Sequence, residues 1–329
     1  MSTLAPTLEA FFTERLARQR AASPHTVAAY RDSFRMLLAF AEQTTGRPPA
    51  ALRFEDLDAL LIGAFLDQLE VVRHNSIPTR NCRLAAVHSF FQFAAMRHPE
   101  HAALIQRVLA IPQKRGERHD VTFLDGAEIN ALLAAPDRAR WVGRRDHALL
   151  ATAVQTGLRV SELIALTCQD VHLGTGAHVR CEGKGRKERA TPLTAQAAEI
   201  LKAWLTERQG APTDPLFPGP TGRHLSRDAV ALILTRHAST AAASCPSLKN
   251  KAISPHTLRH TCAMQLLHAG VDTSVIALWL GHESVETTQI YLHADLEIKE
   301  KAIARTAPPD TRPGRYSPPD ALLAFLESL

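Results

Sequence analysis

No apolar run in the 329 residues approaches the roughly 18 that a membrane-spanning helix needs. The N-terminus has no charged-then-apolar signal pattern, so the protein is expected in the cytoplasm, with no membrane partner. Cysteine is sparse and unpaired. Cys82, Cys168, Cys181, Cys245 and Cys262 are odd in number, scattered and never in a C-x-x-C arrangement, which excludes a disulfide framework and a cysteine-ligated zinc site. No internal repeat is present, which removes the solenoid and propeller architectures. Neither charge dominates: 38 Lys and Arg against 33 Asp and Glu leave a net +5, which permits a polyanionic partner without requiring one.

What is present is ordinary for a soluble globular chain, 45% hydrophobic and 22% charged, and long enough for two domains with separate cores. Residues 1–110 read as helices throughout. Leu8, Phe11, Phe12 and Leu16 form a short apolar face, and Ser23-Pro24 opens a longer helix that Gly46-Arg47-Pro48-Pro49 breaks. Leu60–Leu69 and Ile77–Met96 are the next two. Arg73, Arg80 and Arg83 cluster at the start of the latter, as a solvated basic face or as phosphate contacts.

Residues 111–121 are polar and basic with Pro112 and Gly116, the composition of an interdomain linker, which leaves 122–329 as a second domain. There Asp125 and Glu128 form a capping box, and an apolar helix over 144–155 is broken by Gly157. Arg159 stands at the turn into the next helix, which starts at Ser161, Glu162 and Leu163. The segment 170–193 changes period. Val171–Leu173, His178–Cys181 and Arg189–Leu193 read as a small three-stranded antiparallel sheet, its second turn presenting Lys184 between Gly183 and Gly185. Helical spacing returns at Ala195–Glu207 and Arg227–Ser239. The expected fold class is therefore mostly α in two domains, a helical bundle followed by an α+β domain.

The richest stretch is SPHTLRHTCAMQLLHAGVDTSVIALWLGHESVETTQIY, Ser254 to Tyr291. Ser254 and Pro255 start a helix that Gly270 ends, with His256 and Arg259 on one face and Leu258, Cys262, Leu266 and Ala269 beside them. Asp272 caps a second helix, Thr273–Leu280, stopped by Gly281 before His282. Ser284 caps a third that delivers Tyr291. Two donors on a rigid helix, a donor at a tight turn and a phenol on a separate helix suit attack on a phosphate. His260 lies four residues after His256, the spacing of a zinc pair. Thr257 stands where a zinc hydrolase would need glutamate and no third ligand is evident, so His260 is expected to brace the helix, and no metal is expected.

Arg159 in TGLRVSEL, Lys184 in GKGRKER, His256 and Arg259 in HTLRHT, His282 in LGH, and Tyr291 follow one another in an order that resembles the active-site set of the tyrosine recombinase (phage integrase) family. SPHTVAAYRDSFRMLLAF and RLAAVHSFFQF resemble that family's helical core-binding domain, so the likeness covers the whole chain. It implies a site-specific recombinase for DNA integration, excision or resolution, acting without a cofactor through a 3′-phosphotyrosyl intermediate on Tyr291. Arg159, Arg259 and His282 would hold the phosphate, Lys184 would protonate the leaving 5′-oxygen, and His256 would act as base or orient the phosphate. Glu162 would support Arg159. The implied partners are double-stranded DNA and a homo- or hetero-tetramer. The tail beyond Tyr291, with Leu322, Leu323, Phe325 and Leu326 on a short helix, would dock on a neighbouring subunit or on its own domain. The rival readings are a non-cleaving DNA-binding accessory protein of a recombination complex and a metal-dependent hydrolase built on His256 and His260.

Overall fold

The computed structural model describes residues 4–116, 121–183, 188–282, 287, 288 and 291. The turn carrying Lys184, the cap at Ser284 and the tail helix expected near the C-terminus lie outside them. By its contacts the chain forms two compact units, Met1–Arg118 and His119–Leu329. No described helix is long and apolar enough to cross a membrane.

The first unit is helical. Helix α1 (Leu4–Ala10) runs into a wider π-type segment (Phe11–Gln19), and α2 (Pro24–Thr45), α3 (Ala59–Val71), α4 (Ile77–Ala95) and α5 (Ala102–Leu109) follow. Ser23 caps α2 by accepting from the Thr26 N–H, and Gly46 ends it in the left-handed region. The core is built on rings. Phe11, Phe34 and Phe90 meet edge-to-face at 5.4–6.2 Å, with Phe54, Phe65, Phe91 and leucines around them.

The arginine cluster divides. Arg73 is exposed, and Arg83 donates to Ser33 Oγ at 3.1 Å. Arg80 is neither a solvated face nor a free phosphate contact, because it is 5% exposed, ion-paired to Glu70 at 3.2 Å and bonded to the Pro112 carbonyl at 3.1 Å. Asn81 bonds both the carbonyl and the N–H of Lys114. The segment read as the start of a linker is thus fastened to α4 as far as Lys114, since two polar side chains on that helix satisfy its backbone.

The second unit surrounds α7 (Trp141–Thr156), whose residues are buried on nearly every face. Against it pack α6 (Gly126–Ala134), α9 (Ala195–Arg208) and α11 (Pro255–His268), with α8 (Val160–Ala165), α10 (Arg227–Ala241) and α12 (Thr273–Leu280) closing the layer. The Asp125–Glu128 capping box forms as expected, with both bonds at 2.9 Å. The sheet is antiparallel in the order β1 (Val171–His172), β2 (His178–Glu182), β3 (Glu188–Pro192), and Cys181 faces Arg189 across it. Val179, Cys181 and Thr191 are its buried residues, so Arg189 lies on the inward-facing row as well.

Candidate active site

Three local devices carry the site. Gly157 ends α7 at φ +61°, and Arg159 follows as the N-cap of α8. Ser254 caps α11 by accepting from the Thr257 N–H at 3.3 Å, with Pro255 as its first residue. Asp272 caps α12 through the Ser274 N–H, and Gly281 ends it at φ +66°, turning the chain sharply into His282.

These ends converge. Arg259 is 2% exposed and donates to the carbonyl oxygens of Gly157 and Leu280, both at 2.7 Å. Arg159 donates to the Gly281 carbonyl at 3.0 Å. Two arginines thus grip consecutive carbonyls at the end of α12, where the helix dipole is negative and the last carbonyls lack intrahelical partners. Each guanidinium has five N–H groups, so donors remain on both.

Glu162, 6% exposed, organises the cations. Its carboxylate accepts from the Arg159 backbone N–H (2.8 Å) and side chain (2.9 Å), and from Arg189 at 2.7 and 3.1 Å. Burial alone would push this carboxyl up, but the hydrogen bonds from Arg189 and from Arg159 outweigh it and hold the pKa below the usual range.

The remaining groups lie alongside. His282 bonds Thr288 Oγ1 through Nδ1 at 2.8 Å. Tyr291 is 1% exposed, and its ring lies nearly parallel to that of His282 (13°) with centroids 6.5 Å apart. Its hydroxyl is 2.9 Å from Nδ1 of His260. His256 stands against His260 edge-to-face at 4.9 Å.

Burial dominates the electrostatics of these groups. It lowers the pKa of His282 to about 4, with Arg259, Arg159 and Arg189 adding to the effect, and that of His260 to about 4, with His256 and Arg259 adding. His256 is lowered by the same causes, burial and then the two arginines. Burial also brings Arg259 down to about 10, still charged at neutral pH, and pushes the Tyr291 phenol up to about 12. The site is therefore three guanidinium groups and one carboxylate beside neutral imidazoles and a neutral phenol. It carries an excess of positive charge.

Of the residues singled out in the sequence, Arg159, His256, Arg259, His282 and Tyr291 come together here, with Glu162 beside them. Lys184 lies outside the described residues. Sequence reasoning missed Arg189 and Thr288, and gave His260 only a bracing role. Arg189 had a signal: period-two alternation puts it on the inward side of β3, where a charge needs a buried partner. Among the described residues no group of three or more His, Cys, Asp and Glu is placed to hold a metal ion.

Residues 122–297 match the phage integrase family, and residues 10–98 its N-terminal SAM-like domain. The chain belongs to the phage integrase family. It is 56% identical to y4rC of Sinorhizobium fredii, named as an integrase/recombinase, over 100% of this chain and 99% of that protein. It is 36% identical to the tyrosine recombinase XerC of Pelobacter propionicus, over 91% of this chain and 96% of that one. Among solved structures, the XerH site-specific recombinase bound to palindromic difH substrate, a post-cleavage complex, matches at a TM-score of 0.69 and 25% identity, over 87% of this chain and 81% of that chain. The Tn1549 transposon integrase in complex with transposon right end DNA shares the fold at a TM-score of 0.69 and 15% identity, over 92% of this chain and 99% of that one. As a tyrosine recombinase, the chain is an enzyme that cleaves and rejoins DNA strands in site-specific recombination.

Proposed function

We propose that this recombinase cuts DNA through Tyr291, in a site formed by Arg159, Arg259, His282, His256 and Lys184. The observation that carries the reading is the grip of Arg159 and Arg259 on the carbonyls of Leu280 and Gly281, which sets two guanidinium groups beside His282 and the Tyr291 ring.

A scissile phosphate is the anion that this excess of positive charge would draw in. The free N–H groups of Arg159 and Arg259 take its non-bridging oxygens, where charge builds as the phosphorus becomes five-coordinate. In the tautomer in which Thr288 Oγ1 donates to Nδ1 of His282, the imidazole proton sits on Nε2 and adds a donor. Tyr291 Oη attacks phosphorus and the P–O5′ bond breaks. The phenolic proton leaves towards His256 or solvent, and Lys184 protonates the departing 5′-oxygen. The products are a 3′-phosphotyrosine and a free 5′-hydroxyl. A phenol is a fair leaving group, so the reverse step rejoins the strand. Arginine supplies the charge that a metal ion supplies in other phosphoryl-transfer sites, and no cofactor is required.

The substrate is duplex DNA carrying a recombination site, and the working form is a tetramer on two such sites, of one chain or with a partner recombinase. Likeness to y4rC and to the Xer proteins supports integration, excision or resolution as the outcome.

The test is a nicked duplex carrying DNA from beside the gene, incubated with the protein in EDTA and run on a denaturing gel. The expected result is a covalent protein–DNA band that Tyr291→Phe abolishes while its DNA binding persists. A band that survives in Tyr291→Phe would refute the assignment. Binding without any band would favour the non-cleaving accessory reading.

A further inference from the structure

We infer that His260 is a positioning residue for the nucleophile, seating the Tyr291 hydroxyl through a hydrogen bond. The inference rests on the reading of Tyr291 as nucleophile and adds a residue outside the set assigned above.

Helix α11 explains how one element serves both groups. Successive residues point about 100° apart around a helix. Arg259 points to the carbonyls of Gly157 and Leu280, and His260, the next residue, points to Tyr291. The phenol is held at several points. Its hydroxyl meets His260 Nδ1 at 2.9 Å, with the rings tilted at 65°, and one ring face lies near-parallel to His282. Cys262, Ala263, Met264, Leu267, Ile276 and Leu280 form the apolar cluster it packs in. His256 stands edge-to-face to His260 and fixes that ring in turn. Apolar packing fixes the plane of a phenol but not the direction of its O–H. A single directed hydrogen bond does, and in-line attack depends on where the oxygen lone pairs point.

The contact serves to orient the phenol rather than to take its proton. The phenol is pushed up to about 12 and the imidazole down to about 4, which leaves the proton on Oη by roughly eight powers of ten. His260 thus keeps a neutral nucleophile aimed until bound DNA draws the proton elsewhere.

The test compares His260→Asn, whose amide reaches the position of Nδ1, with His260→Phe, which keeps a ring and loses the bond. His260→Gln, too long to restore it, replaces Phe if that variant fails to fold. The DNA-free full-length protein is labelled with ¹³C at tyrosine Cζ. It has three tyrosines, and the Tyr291 signal is the one missing from Tyr291→Phe. The expected result is a shifted Tyr291 signal and covalent adduct formation slowed about 10–100-fold in His260→Phe, with unchanged DNA binding. In His260→Asn both return close to wild type. A wild-type rate or an unmoved signal in His260→Phe overturns the inference. So does a folded His260→Asn as slow as His260→Phe, which would make His260 a proton carrier instead. Adduct formation by Tyr291→Phe would separately remove the underlying nucleophile assignment.

Discussion

Arg259 Nη1 donates to the carbonyl oxygen of Gly157 at 2.7 Å, across 102 positions of sequence. That bond, with its counterpart to Leu280, takes a guanidinium out of water and fixes it before any phosphate arrives. Preorganised charge of this kind avoids reorganisation cost at the moment of reaction.

Gly157 is the most constrained position in this arrangement. Its φ is +61°, and an added Cβ would lie 2.6 Å from Leu280 Cδ2 and 3.1 Å from Cys262. Gly157→Ala should cost about 1–3 kcal/mol and slow adduct formation about 10–100-fold, because both carbonyl anchors of Arg259 shift. Gly270→Ala is the control. At φ +81° it carries a similar backbone strain, but open space surrounds it, so its cleavage rate should stay at the wild-type value. Melting temperatures and adduct kinetics check both.

Glu162→Gln keeps the shape of the side chain and removes the charge between Arg159 and Arg189. Leaving two paired guanidinium groups without their carboxylate should destabilise the protein by about 3 kcal/mol and abolish most cleavage. Urea midpoints and the nicked-duplex assay measure the two effects. Full activity in this variant would show that Arg159 holds its position without Glu162.

A second buried ion cluster, built from residues outside the proposed catalytic set, offers a stability-only contrast. Asp146 is fully buried and accepts from Arg145 (2.7 Å), Arg236 (2.6 Å) and His237 (2.8 Å). Burial would raise its pKa, but the bonds from His237 and Arg145 prevail and hold it down. Asp146→Asn should lower the urea midpoint by the equivalent of about 3–5 kcal/mol. At temperatures where the variant stays folded, its adduct rate should remain near wild type.

Acid should weaken the fold in two stages. His260 and His282 titrate near 6.5 when unfolded and at about 4 in the fold, so the fold favours their neutral forms. Their contribution, on the order of 2–3 kcal/mol each, is complete above about pH 6.5 and is lost as pH falls towards 4. Glu162, Glu128 and Asp146 are also depressed, so their contribution holds above the ordinary carboxylate pKa and is lost only at lower pH. Urea midpoints at about pH 8, 6 and 5 should fall progressively, and more steeply than in His260→Asn. A midpoint flat over that range would contradict the neutral imidazoles.

Helix limits, the small sheet and the order of the chemical groups were legible in the sequence, because each depends on near neighbours. Ser254 and Pro255 start a helix, Gly281 stops one, and strand alternation marks β2, whatever lies across the core. The family resemblance likewise rests on local motifs in order. Tertiary structure alone decided which groups meet. Nothing near Arg189 in the chain names Glu162, 27 residues away, as its partner. HTLRHT offers two histidines for one tyrosine, and the hydroxyl is bonded to His260, the one read from sequence as a brace. Arg80 looked like a surface charge until packing put Glu70 and the Pro112 carbonyl against it. Turns and periodicity are properties of a few adjacent dihedral angles, whereas a buried charge is placed by whichever distant dipoles satisfy it, and only the folded chain brings those together.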